Sequence, residues 1–161
     1  MRTSSEISPR RRPWLRVGLI GLALPNAVVG AWAVLAPRSF YDDFPAAGRH
    51  WVSALPPFNE HLTTDVGAWA LGLMTVLLLA AYFCERRLVQ VALVAAAVQA
   101  TPHFVYHLGT LDSYETGDAI ASQVALGLTV FVPLLLLPLT RPPAPAEAPR
   151  TERAPTGAAH S

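Results

Sequence analysis

The chain has 161 residues, of which 52% are hydrophobic and only 14% charged, with a formal net charge of +1. Soluble chains carry about 25% charged residues, so this composition belongs to a membrane protein, and no nucleic-acid partner is expected. A single cysteine, Cys84, excludes an internal disulfide, CxxC redox chemistry and a cysteine-rich zinc site.

Crossing ~30 Å of hydrocarbon takes about 20 mostly apolar residues. Four stretches meet that length: residues 14–35, 62–84, 88–108 and 119–139. The first begins arginine-rich and carries Ala31-Trp32-Ala33 near its end, features shared with a secretory signal. Its apolar run is long for a signal, and its removal would leave less consistent loop charges, so it is read as a retained span. The outer loop follows at residues 36–61. The second and third spans are separated only by Glu85-Arg86-Arg87 and must form a tight antiparallel hairpin. The expected fold is all-α, a four-helix transmembrane bundle over residues 13–140. A basic tail precedes it at residues 1–12, and a disordered Pro/Ala-rich tail follows at residues 141–161.

Arginine placement sets the expected orientation. Ten of the twelve arginines lie at the N-terminal end (Arg16 just inside the first span), between the second and third spans, or after the fourth; only Arg38 and Arg49 lie in the other loops. The positive-inside rule then puts both termini in the cytoplasm. Asp42, Asp43, Glu60, Asp112 and Glu115 all fall on the outer side. The expected location is a bacterial plasma membrane, with the lipid bilayer as the main partner and a homo-oligomer or other membrane proteins as further ones.

Between helices in lipid, close contact relies on small residues. Candidates are Gly18, Gly21 and Gly30 in the first span, Ala68 and Gly72 in the second, Ala92, Ala96 and Ala100 in the third, and Ala121 and Ala125 in the fourth. Pro25, Pro102 and Pro133 fall within spans. Asn26 is expected to bond a carbonyl freed by the neighbouring proline.

The polar residues crowd the outer ends. Asn59 suits an N-cap and Glu60 the positive end of the helix dipole. His61 and Asp65 are four apart and share a face, with Asp65 one turn deeper, where an ionisable group usually points into the bundle. Gln99, His103 and His107 form a matching stripe on the third span. At 1.5 Å per residue, His103 lies ~6 Å and Gln99 ~12 Å deeper than His107. If the stripes face each other, Asp65 stands beside His103 and His61 beside His107. Asp118, Ser122 and Gln123 line the mouth of the fourth span. Loop 1, with Phe40, Tyr41, Phe44, Trp51 and Phe58, is long enough to lie over this mouth as an interfacial belt, a lid, or both. Asp42, Asp43 or His50 would be the groups that dip in.

The stretch Asn59-Glu60-His61 with Asp65-Val66-Gly67, followed later by His103-Phe104-Val105-Tyr106-His107, resembles small four-helix bacterial integral membrane proteins of uncharacterised function. That resemblance implies the fold and the location. The four-span size is similar to DoxX-type proteins, which are associated with oxidative-stress and quinone-linked complexes; that likeness is architectural.

Two classes of function follow. In one, His61, Asp65, His103 and His107 bind a metal ion or small polar ligand, with Glu60, Gln99, Asp118, Ser122 and Gln123 supporting them. Zinc or iron suits such donors; haem with one axial histidine per helix, or a proton-handling cluster, is the further option. In the other, the chain is a non-enzymatic membrane scaffold or accessory subunit, and the cluster only fixes helix packing. No phosphate loop, dinucleotide fingerprint or Ser/His/Asp motif assigns a catalytic residue.

Overall fold

The computed structural model describes residues 7–142. The disorder expected of the C-terminal tail, and His160 within it, lie outside the described residues. Among those described there are five α-helices and no strand: α1 (Arg12–Leu35), α2 (Pro37–Asp43), α3 (Glu60–Phe83), α4 (Arg86–Leu108) and α5 (Thr116–Leu136). A 3-10 turn at Leu111–Ser113 precedes α5, and a second at Leu137–Thr140 extends it. Four segments are long and apolar enough to cross a membrane: α1, α3, α4 and Thr116–Thr140. Within each, only 22–33% of the apolar window is buried inside the bundle. The remainder, including Trp14, Leu24, Trp69 and Leu135, faces outward, as an apolar solvent requires and water would penalise.

Local signals explain the boundaries. Pro13 sits in the first turn of α1, where its missing N–H costs nothing. Pro37 does the same for α2. Asn59 caps α3, its side-chain oxygen accepting from the Leu62 N–H at 3.0 Å. Cys84 ends α3 in a left-handed conformation (φ 52°) and is buried. Glu85 then leads directly into α4. Pro25, Pro102 and Pro133 are carried inside continuous helices. Asn26 Nδ2 donates to Leu22 O at 2.9 Å, one carbonyl beyond that of Gly21, which Pro25 leaves without its helical donor.

α1 packs chiefly on α3, and α4 chiefly on α5; the short hairpin joins the two pairs. The α1–α3 crossing is centred on two glycines. A Cβ on Gly67 would stand 3.0 Å from the Gly30 carbonyl oxygen and 2.9 Å from Ala33 Cβ; one on Gly30 would meet Gly67 O at 3.0 Å. The backbones therefore touch. Ala68 is exposed and a Cβ at Gly72 meets nothing within 4 Å, so the Ala68/Gly72 pair is not the contact. Ala92, Ala96 and Ala100 are buried, as expected, whereas Ala121 and Ala125 are exposed.

The main core lies at the hairpin end, where Leu15, Leu19, Leu77, Val89 and Leu93 are fully enclosed. Ile7 joins them at 1% exposure, so the segment just before α1 is packed rather than trailing. Polar bonds close this end. Arg16 donates to the Ala81 and Tyr82 carbonyls at 3.1 and 3.4 Å, satisfying the last turn of α3. Gln90 Nε2 donates to the buried Thr140 hydroxyl at 3.0 Å.

Gly67→Ala should destabilise the bundle by about 1–3 kcal/mol through overpacking against backbone. Gly72→Ala, with open space around it, should instead be neutral or stabilising by up to about 1 kcal/mol from helix propensity. Reversible unfolding in mixed micelles, followed by circular dichroism, ranks the two; equal effects would place the crossing elsewhere.

Candidate functional site

The loop end of the bundle carries the predicted site residues, and the structure pairs them within each helix rather than across helices. On α3, His61 Nδ1 lies 3.5 Å from Asp65 Oδ2, with side chains 86% and 51% exposed. Both sit on the far side of α3 from α1: at 100° per residue, Asp65 is ~160° around from Gly67. Glu60 is exposed in the first turn, where its charge suits the helix dipole. Among the described residues no hydrogen bond or ion pair joins His61 or Asp65 to His103 or His107.

On α4 the buried stripe is Val89, Ala92, Leu93, Ala96, Ala97 and Ala100. Gln99 and His103 flank that stripe and are exposed; His107 is half-buried. His107 is the centre of a directed chain. The Tyr114 hydroxyl is 3.0 Å from the Trp51 carbonyl oxygen and 3.2 Å from His107 Nδ1. His107 Nε2 is 3.1 Å from His103 Nε2. A carbonyl only accepts, and a phenol has one proton. Tyr114 must therefore donate to Trp51 O, which obliges His107 Nδ1–H to donate to the Tyr114 oxygen. A neutral His107 is then an acceptor at Nε2, and His103 Nε2–H donates to it. Both tautomers are set by one backbone carbonyl three groups away. Tyr114 lies outside the spans, and neither it nor Trp51 was singled out as a partner of the histidines.

Loop 1 reaches this network through its backbone and Arg49, not through Asp42, Asp43 or His50. Arg49 pairs with Asp118 at the start of α5. Asp42 holds Arg38 at 2.6 Å, Asp43 accepts from Ser39 Oγ at 3.2 Å, and His50 Nδ1–H donates to the Asp42 carbonyl at 2.7 Å. Trp32, Phe40, Phe44 and Trp51 form a continuous run of ring contacts beneath the loop, with centroids 4.9–6.2 Å apart. Such contacts bury apolar area with edge-to-face geometry and seat Trp51 where its carbonyl meets Tyr114. The Trp51 indole N–H lies beside the Asp118 carboxylate without closing a hydrogen bond.

The other two candidates on α5 are not drawn to the histidines by any bond. Ser122 is buried and donates to Ala119 O at 3.0 Å. The Gln123 amide is enclosed with neither its oxygen nor its nitrogen partnered, beside an apolar groove lined by Phe104, Gly127 and Phe131. Among the described residues no group of three or more His, Cys, Asp or Glu side chains comes together as a metal-holding set. The four-residue set His61, Asp65, His103 and His107 is thus present as two pairs.

Burial pushes the Tyr114 phenol above its ordinary value, with Tyr106 adding to the shift. A phenol with a raised folded pKa contributes stability that is fully present below the unfolded value, near 10, and is lost as pH rises through the folded value. The 295 nm difference titration between wild type and Tyr114→Phe should therefore show a midpoint above 10. A midpoint at or below 10 would mean that the hydroxyl is not enclosed by loop 1.

No protein-family model, no curated protein and no solved structure matches this chain; the arrangement of its own residues is what the functional reading rests on.

Proposed function

We propose that the chain is a multi-pass protein of the bacterial plasma membrane with both termini in the cytoplasm. It serves there as a non-enzymatic scaffold or accessory subunit whose outer polar residues clamp the loops onto the helix ends. Two observations support the membrane part of the reading. Four helices have the length and composition to span, and the arginines concentrate at the hairpin end: Arg11, Arg12, Arg16, Arg86, Arg87 and Arg141.

The observation that carries the clamping role is the chain His103–His107–Tyr114–Trp51, together with Arg49–Asp118. It links loop 1, the α4–α5 connection and the first turn of α5. Every bond in it is made to another group of the same protein. In a low-dielectric interface such bonds are worth more than in water, and leaving one partner unpaired costs about 1–3 kcal/mol. The exposed apolar faces of the four helices then remain for lipid or for the spans of neighbouring proteins. A second reading, a metal ion at the same end, is favoured by one contact: the facing Nε2 atoms of His103 and His107.

Orientation is checked by cysteine accessibility in a Cys84→Gly background, glycine being suited to the left-handed cap. Ala46→Cys and Ser113→Cys should label in intact cells, and Arg150→Cys only after permeabilisation. Labelling of position 150 from outside would invert the protein.

The clamp is checked by hydrogen exchange over residues 44–58. Tyr114→Phe and Arg49→Gln should each speed exchange of that segment about tenfold, equivalent to ~1.4 kcal/mol of local opening. Unchanged protection in both variants would leave the loop-end network without a structural role.

A further inference from the structure

We propose that His103 and His107 form a two-nitrogen chelate for a single divalent transition-metal ion, with Tyr114 as the residue that presents His107 to it. The two Nε2 atoms are 3.1 Å apart. With metal–nitrogen bonds of ~2.05 Å, two ligands of one ion stand about 2.9 Å apart at an octahedral angle and about 3.3 Å apart at a tetrahedral one. The observed separation falls between these values, so the distance suits a common ion once the rings turn their Nε2 lone pairs off the line that joins them. The rings are tilted by 52° with centroids 4.9 Å apart. His103 is exposed, and it lies within ~8 Å of the end of α4, close enough to the interface for an aqueous ion to arrive.

The hydrogen-bond directions make His107 ready for this role. A metal-ligating histidine characteristically gives its other ring N–H to an acceptor, which fixes the tautomer and leaves the free lone pair on the ligating nitrogen. Here the Trp51 carbonyl forces Tyr114 to accept from His107 Nδ1–H, so the Nε2 lone pair is fixed outward. His103 Nε2–H donates to that lone pair. An incoming cation takes the place of this shared proton, and His103 carries its ring proton on Nδ1 instead. Imidazole nitrogen suits zinc, nickel, copper and cobalt(II). With two protein nitrogens and no third His, Cys, Asp or Glu gathered beside them among the described residues, the remaining positions belong to water or to an external ligand. The site is therefore an exchangeable one rather than a closed structural centre.

Cobalt(II) is the probe, titrated into chelator-stripped, detergent-purified full chain at pH 7.5 and followed by visible absorption, with zinc as competitor. One equivalent should bind with a d–d spectrum that zinc removes. His103→Gln, an exposed substitution that leaves Tyr114 and loop 1 untouched, should weaken binding at least tenfold. Tyr114→Phe should keep the stoichiometry and weaken affinity roughly 10–100-fold, the usual effect of removing an outer partner. His61→Ala, Asp65→Asn and His160→Ala should bind as wild type does. Binding unaltered in His103→Gln, binding lost in His160→Ala, or no spectral change at millimolar cobalt would each overturn the proposal. The clamp reading would survive any of these results, because its readout is loop exchange in metal-free protein.

Discussion

The backbone contact between Gly30 and Gly67 is the constraint on which the rest of the arrangement depends. In the bilayer proposed for this chain, lipid would supply no hydrophobic drive between helices, and α1 and α3 would be held by close van der Waals approach. That approach is possible only where no Cβ intervenes, and the added-Cβ distances of 2.7–3.0 Å at these two glycines leave no room for one. Once the Thr63, Gly67 and Ala70 face of α3 is committed to α1, the opposite face is committed too. It carries His61 and Asp65 away from α1, and they pair with each other there. The split of the expected four-residue cluster into two pairs follows from a packing decision made by residues with no polar chemistry at all.

The two ends of the bundle solve the same problem differently. Helix termini leave unsatisfied backbone groups that a membrane cannot solvate. At the hairpin end, the connection is too short to fold over anything, and long side chains do the work. Arg16 reaches across from α1 to the last carbonyls of α3, and Gln90 reaches from α4 to Thr140. At the loop end there is chain to spare. Loop 1 folds back on a ladder of aromatic rings and offers its own carbonyl, at Trp51, to the α4–α5 side. Arg49 adds the charge contact to Asp118. The loop-end bonds therefore join the α1–α3 pair to the α4–α5 pair, whereas Arg16 and Gln90 each close a contact within one pair.

The directed chain from Trp51 to His103 also gives the histidine pair a definite electronic state. A carbonyl cannot donate, so the direction of every bond behind it is settled, and the one imidazole lone pair left facing its neighbour is His107 Nε2. Hydrogen bonding alone and metal chelation draw on the same His107 Nε2 lone pair, with the rings turning between the two uses. A scaffold and an ion site are therefore compatible uses of one geometry, distinguished by whether a proton or a cation lies between the two Nε2 atoms.

Much of the architecture was legible in the sequence. Four apolar runs of adequate length mark the four long helices, each long and apolar enough to cross a membrane. Asn59 marks the start of α3, because its side chain can reach the Leu62 N–H, and the brevity of the Cys84–Glu85 link forces α3 and α4 antiparallel. The candidate site was legible as a list of residues at one end and not as a constellation. Helical periodicity shows which residues share a face, but not which neighbour that face meets. The second span offers small residues on two faces, Gly67 with Ala70 and Ala68 with Gly72. Only the matching surface of α1 selects the first. Likewise Tyr114 and Trp51 lie in segments without periodicity, 63 residues apart, and their meeting depends on how loop 1 folds over the aromatic ladder. Composition and spacing are local properties of the chain and fix the helices, whereas shape complementarity between helices and the path of the loop are non-local and decide which of their polar groups meet.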